Sequence, residues 1–192
     1  MGYGNRTPMS YFKIKDGKIH VYNRDDEPTI HDFFKGKLIQ IDFRESEVQF
    51  NGKLNKIKNW NVMFEDDGVN HIWSTKYDGI LFQSFINCIA SLTDFNSTIE
   101  LYPYMKDGKT KLWMKANGED LRWKFNVDEM PKITPLIAEG EPVLDAQGNQ
   151  MYSTKARMEW TQKLVEAINA KIRSVKQVEV HEDSFVEEVE QF

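Results

Sequence analysis

The sequence has a single cysteine, Cys88, in 192 residues, which excludes an internal disulfide framework. Its four histidines, His20, His31, His71 and His181, are scattered, and with one cysteine they make no zinc-ligand spacing. No metal or other cofactor is expected. No apolar run approaches the roughly 18–20 residues of a membrane span. The opening MGYGNRTPMS lacks the charged-then-apolar order of a secretory signal, so a cytoplasmic setting is the expectation. A Walker-type loop, GxSxG, HExxH and paired-cysteine motifs are all missing. Carboxylates are plentiful, yet none is framed for acid/base or two-metal work. The chain therefore reads as non-enzymatic, with a nuclease disfavoured by context and not excluded by spacing.

Net charge is −5, but it is unevenly placed. The last stretch, VEVHEDSFVEEVEQF, holds six carboxylates from Glu179 onward, no Lys or Arg, and a terminal Phe192. Setting those six aside leaves 24 Asp and Glu against 25 Lys and Arg, so residues 1–178 total +1. The pattern suggests a flexible acidic tail, 177–192, on a body that carries its own basic face. A plain solubility tail is the alternative reading.

Asp16-Gly17, Asn51-Gly52, Asp67-Gly68, Asp107-Gly108 and Asn117-Gly118 punctuate the first two thirds of the chain. Such dipeptides signal hairpins, because both central positions of a type I′ turn need positive φ. Between them lie strand alternations: YFKIK with KIHVY, KLIQIDF running into EVQF, KIKNWNVMF, VNHIWST, TIELYPYMK and KTKLWMK. One stretch, GILFQSFINCIASL, instead repeats Leu81, Phe85, Cys88 and Leu92 at helical spacing, with Asp78 placed to cap a helix over about 79–92. Cys88 on that apolar face reads as a buried small hydrophobe.

Beyond an N-terminal hairpin at about 10–22, the order is three strands, a helix, then two or three strands. That is the order of an OB-fold, a five-stranded Greek-key barrel with a helix between its third and fourth strands. The fold class is mainly β. Ile39, Ile41 and Phe43, then Val48 and Phe50, change parity across RESE, which predicts a bulge in a long, bent first barrel strand. Pro103 predicts an edge position or a local break. After Pro131, a Pro- and Gly-containing linker leads to an amphipathic helix at about 153–173, with Trp160, Leu164, Ile168 and Ile172 on one face beside Val165. The expected organisation is thus a barrel with its hairpin extension over 1–130, linker and helix over 131–176, and the tail. The helix packs on the barrel or on a partner subunit, and both it and the N-terminal hairpin are candidates for homo-oligomer contacts.

Chemistry concentrates on the hairpin TIELYPYMKDGKTKLWMKANG. Alternation places Ile99, Leu101, Met105, Leu112 and Met114 toward the core. The opposite face presents Tyr102, Tyr104, Lys106, Lys109, Lys111, Trp113 and Lys115: three aromatics and four lysines, with no acid among them. Exposed rings stack bases for about 1–3 kcal/mol each while lysines neutralise phosphates, so this face suits a single nucleic-acid strand. Edge-blunting lysines and hairpin-stabilising ring pairs are the bland alternative. A weaker echo lies on Lys53, Lys56, Lys58 and Trp60, where Trp60 is either groove or core. His71 and Trp73 share a face whose direction stays open.

Barrel order, Lys/aromatic hairpin and an acidic terminus ending in Phe192 together resemble the single-stranded DNA-binding proteins of bacteria and, in size and layout, of tailed phages. The chain lacks the Gly/Pro/Gln-rich spacer and Pro-Phe ending of the bacterial members. The resemblance implies sequence-independent coating of single-stranded DNA in replication, recombination and repair, in the host cytoplasm if the chain is phage-encoded. It also implies that Glu187, Glu188, Glu190 and Phe192 form a tip that docks replication proteins such as polymerase or primase-helicase. An anionic tail tethered to a cationic groove would occupy that groove until DNA displaces it. Two other classes stay open: a protein- or carbohydrate-interaction module such as a virion accessory protein, and a single-strand-acting enzyme.

Overall fold

The computed structural model describes residues 8–22, 27–50 and 52–189; for Phe50, Lys53 and residues 176–189 it describes the backbone alone. The protein is mainly β. Its strands are β1 (Met9–Lys15), β2 (Lys18–Tyr22), β3 (Thr29–His31), β4 (Phe34–Phe50), β5 (Lys53–Asp66) and β6 (Val69–Lys76), followed by helix α1 (Ile80–Ile89). After α1 come β7 (Thr98–Lys106), β8 (Lys109–Ala116) and β9 (Glu119–Asp120). Two small two-stranded pairings occupy the linker, Thr134–Pro135 with Tyr152–Ser153 and Ile137–Ala138 with Glu141–Pro142, and α2 spans Lys155–Val189. The turn dipeptides act as their chemistry requires: both residues of Asp16-Gly17, Asp67-Gly68, Asp107-Gly108 and Asn117-Gly118 have positive φ, and each joins two antiparallel strands.

The nine strands form one sheet in the order β3-β2-β1-β6-β5-β4-β7-β8-β9. Within it, β4 to β8 run β6-β5-β4-β7-β8, with α1 between the third and fourth of them in chain order. The expected barrel, however, is not closed. Among the described residues no ladder joins β6 to β8; β1 pairs in parallel with the outer edge of β6 instead, from Met9↔Asn70 to Phe12↔Trp73. An exposed strand edge needs a partner or a cover, and the N-terminal hairpin supplies it. The hairpin is therefore an integral part of the sheet and not an appendage. Its turn packs against the β7–β8 hairpin: a Cβ at Gly17 would lie 2.9 Å from the Met105 backbone nitrogen, and the Gly17 amide donates to Thr110 Oγ1 at 3.3 Å.

The bulge sits elsewhere than the alternation suggests. Register shifts between Leu38 and Gln40, so Leu38 and Ile41 both point into the core, whereas Arg44–Phe50 pairs with Lys53–Asn59 without interruption. The RESE segment carries no bulge because it carries no core. Strand β6 accompanies β5 only to Asn59, and β7 accompanies β4 only to Lys37, so the β4–β5 tip projects as a two-stranded ribbon with Val48, Leu54 and Ile57 exposed. Pro103 lies beyond the last β4–β7 pair, Phe34↔Leu101, where its missing N–H costs nothing.

One face of the sheet holds the core: Phe12, Phe64, Trp73, Ile99 and Leu101 meet Phe82, Phe85 and Ile89 of α1. Helix α1 is capped by Gly79 with no side-chain bond, so Asp78 is not its cap. Buried Asn87 on α1 exchanges two hydrogen bonds with the Phe125 backbone, at 2.8 and 2.9 Å. The buried seam of α2 is Met158, Thr161, Val165, Ile168 and Ile172, while Trp160 and Leu164 are only half-buried. Steps of four drift about 40° each around a helix of 3.6 residues per turn, so alternating steps of three and four keep the contact. Asn169 on α2 accepts from the Ile41 amide at 3.0 Å and donates to the Ile41 carbonyl at 2.8 Å, taking the flank of β4 that β7 leaves open.

Candidate nucleic-acid interface

The β7–β8 register places Tyr102 opposite Trp113, Tyr104 opposite Lys111, Lys106 opposite Lys109 and Glu100 opposite Lys115. Directly opposed residues share a face, so the expected Lys/aromatic surface exists as a block of cross-strand pairs. Tyr104 and Trp113 are 44% and 45% exposed, and Tyr102 is half-buried. Met105, expected in the core, is 49% exposed, because the core ends at Pro103 and only the Gly17 turn covers that end of β7.

The rings form a ladder. Phe33 stacks on Tyr102 with centroids 5.5 Å apart and planes 24° from parallel. Tyr102 then meets Trp113 at 5.3 Å and 38°, and Lys115 Nζ lies 4.8 Å from the Trp113 centroid. Phe33, 52% exposed, extends the surface onto a second segment of chain. Its signal was present in the sequence: in Phe33-Phe34, alternation sends one ring outward when the other enters the core. An open hollow of about 490 Å³ lies against this ladder, lined by Asp32, Tyr102, Pro103, Tyr104, Leu112 and Trp113.

Two acids temper the face. The Tyr102 hydroxyl donates to Glu100 Oε2 at 2.5 Å; the bond raises the hydroxyl's pKa and fixes the ring's orientation. Asp32 is bonded to Lys18, which holds its carboxyl below the usual range and keeps it ionised. Lys106, Lys109 and Lys111 form no ion pair among the described residues, so their charge faces solvent.

The second-strand group behaves differently. Lys56 and Lys58 both reach Glu45, at 3.3 and 3.5 Å across the ribbon, and the Lys56 hydrogen bond chiefly lowers the Glu45 pKa. Trp60 is not a binding residue: at 2% exposure it stacks on Phe82 at 4.9 Å and 10°, and its indole N–H donates to the Tyr77 carbonyl at 3.0 Å. Trp73 is likewise core, at 1% exposure. His71 points inward beside it, with Nδ1 2.7 Å from Ser10 Oγ and its ring edge-on to Phe34; burial lowers its pKa. Burial also pushes the Cys88 thiol up to about 11. The Lys53 side chain and those of Glu187 and Glu188 lie outside the described residues, as do Glu190 and Phe192 altogether; the backbone of α2 runs to Val189, through the first part of the acidic segment.

Searches against protein-family models, curated proteins and solved structures find no match to this chain. No helix among the described residues is long and apolar enough to cross a membrane.

Proposed function

We propose that this chain is a sequence-independent, non-enzymatic single-stranded DNA-binding protein of DNA replication, recombination or repair. The observation that carries the proposal is the surface ladder Phe33–Tyr102–Trp113, ended by Lys115 and bordered by Lys106, Lys109 and Lys111, which form no ion pair among the described residues. Bases stack on rings whatever their identity, and lysines hold the phosphates between them. The β4–β8 order with α1 supports an OB-type connectivity in which the N-terminal hairpin occupies the place where a barrel would close. In the same reading, the acidic segment ending in Phe192 recruits replication proteins in the cytoplasm.

Titrating Trp fluorescence with oligo-dT tests it. Four lysine–phosphate contacts give a salt slope of about −3, hence about fifty-fold weaker binding between 50 and 200 mM salt. Tyr102→Ala with Trp113→Ala should remove most of the affinity. An affinity indifferent to salt and to both rings would overturn the proposal. Asp32, a carboxylate beside an aromatic hollow, favours the second reading, a carbohydrate-interaction module; ring-dependent, salt-independent binding of an oligosaccharide would support it.

A further inference from the structure

We propose that the nucleic-acid path continues off the β7–β8 face onto the outer face of the N-terminal hairpin, where Tyr11 and Tyr22 form a second stacking step and Lys13, Lys15 and Lys18 its phosphate contacts. This inference rests on the single-strand reading of the ladder and adds a second subsite to it.

The hairpin repeats the chemistry of β7–β8. Its register sets Tyr11 opposite Tyr22, Lys13 opposite His20 and Lys15 opposite Lys18, all on one face. Tyr11 is 50% exposed and Tyr22 39%, and Lys13 Nζ lies 5.5 Å from the Tyr22 centroid, as Lys115 lies over Trp113. The hairpin's contribution to the main core comes from its opposite face. Phe12 and Ile19, on the other face, are each 1% exposed and belong to the core. Segment 9–22 has three lysines and one acid, Asp16, whose contact with Lys15 at 3.5 Å joins two largely exposed side chains. Such a pair yields readily to a phosphate.

Contacts link the two surfaces. The turn between β1 and β2 packs on the Met105 side chain, the Tyr104–Met105 backbone and Thr110, on the reverse of the ladder face; the two outer surfaces connect through Lys18, bonded to Asp32, which lines the hollow beside Tyr102 and Trp113. Lys18 therefore stands where the hollow meets the outer face of the hairpin. A strand leaving Trp113 and Tyr102 through the hollow meets Lys18 first, then Lys15 and Lys13, and then the two tyrosines. That order of cations and rings complements a polyanion with stackable bases better than it does a protein partner.

The test uses the full chain with two oligo-dT probes, one of about 5 and one of about 16 nucleotides, spanning the range of site sizes for a single small binding domain. Tyr11→Ala/Tyr22→Ala should leave the short probe within about twofold of wild type and weaken the long probe at least about tenfold, since two stacking contacts are lost. Tyr102→Ala/Trp113→Ala should weaken both. Lys13→Gln should shallow the salt slope by about 0.7 on the long probe alone. Tyr11→Phe/Tyr22→Phe keeps the rings and should bind as wild type, which separates lost stacking from a damaged hairpin. If the Ala pair at 11 and 22 weakens neither probe, or weakens both equally, the extended path is wrong. If wild type binds neither probe, or the pair at 102 and 113 has no effect, the underlying reading is wrong instead.

Discussion

Replacing Asn169 by Ala tests how the C-terminal helix is held. The side chain acts as a substitute peptide group, accepting from the Ile41 N–H at 3.0 Å and donating to the Ile41 C=O at 2.8 Å, on a flank of β4 that β7 leaves open. Truncation removes both bonds and leaves a donor and an acceptor without partners in a half-buried setting. Unmade bonds of that kind cost about 1–3 kcal/mol each when buried, and partial access to water places the total near 2–3 kcal/mol. For a chain of this size the loss lowers Tm by about 5–10 °C. Urea unfolding measures the free energy, and hydrogen exchange at the Ile41 amide reports the local event. Asn169→Asp is the sharper probe: its carboxylate still accepts from the amide but cannot donate, and it faces the Ile41 carbonyl oxygen, so it should fall at least as far as Ala. If Asn169→Ala stays within about 0.5 kcal/mol of wild type and the Ile41 amide keeps its protection, the helix is not fastened there and the reasoning fails.

Trp60→Ala should destabilise the fold by about 3–5 kcal/mol in urea titrations, as expected for an aromatic removed from a packed core and not for a surface binding residue. Trp113→Ala should leave the melting temperature within a few degrees of wild type while weakening oligo-dT by about 1–3 kcal/mol. Cys88, its thiol held neutral by burial well above pH 8, should ignore a thiol reagent in the native state and react fully in denaturant. His71 has a depressed pKa, so unfolding takes up its proton; stability is level above about pH 7 and falls as pH drops through the unfolded value of about 6.5. His71→Asn should flatten that part of the slope when unfolding is compared at neutral and mildly acidic pH.

What was legible in the sequence was local. The Asp-Gly and Asn-Gly turns state their own geometry, and with the turn at Asp107-Gly108 placed, alternation alone puts Tyr102 opposite Trp113. Parity also correctly groups Lys56, Lys58 and Trp60 on one side of β5. It tells which side a residue takes and nothing about what covers that side: toward the ribbon's tip it is water, and at Trp60 it is Phe82 of α1, 22 positions away in sequence. The open sheet was illegible for a related reason. Whether β6 closes on β8 or accepts β1 is decided by contacts such as Ser10 with His71, 61 residues apart, for which no short pattern exists. The Leu38–Gln40 bulge hid because Leu38 and Ile41 break strict alternation only when both are known to be buried.

The projecting β4–β5 ribbon has a consequence for how copies of this protein behave at high concentration. Among the described residues, no strand pairs with the outer edge of β5 past Lys58, whose carbonyl takes the Tyr77 amide at 3.1 Å, and none pairs with the outer edge of β4 past Ile41. An extended segment of another chain can add itself to such a margin, and Val48, Leu54 and Ile57 offer it side chains to grip. The Glu45, Lys56 and Lys58 cluster makes a dry lateral fit between ribbons costly, so charge at this tip works as a guard against self-zippering. Neutralising all three at once should raise the tendency to gel or form fibres, read by light scattering at high concentration.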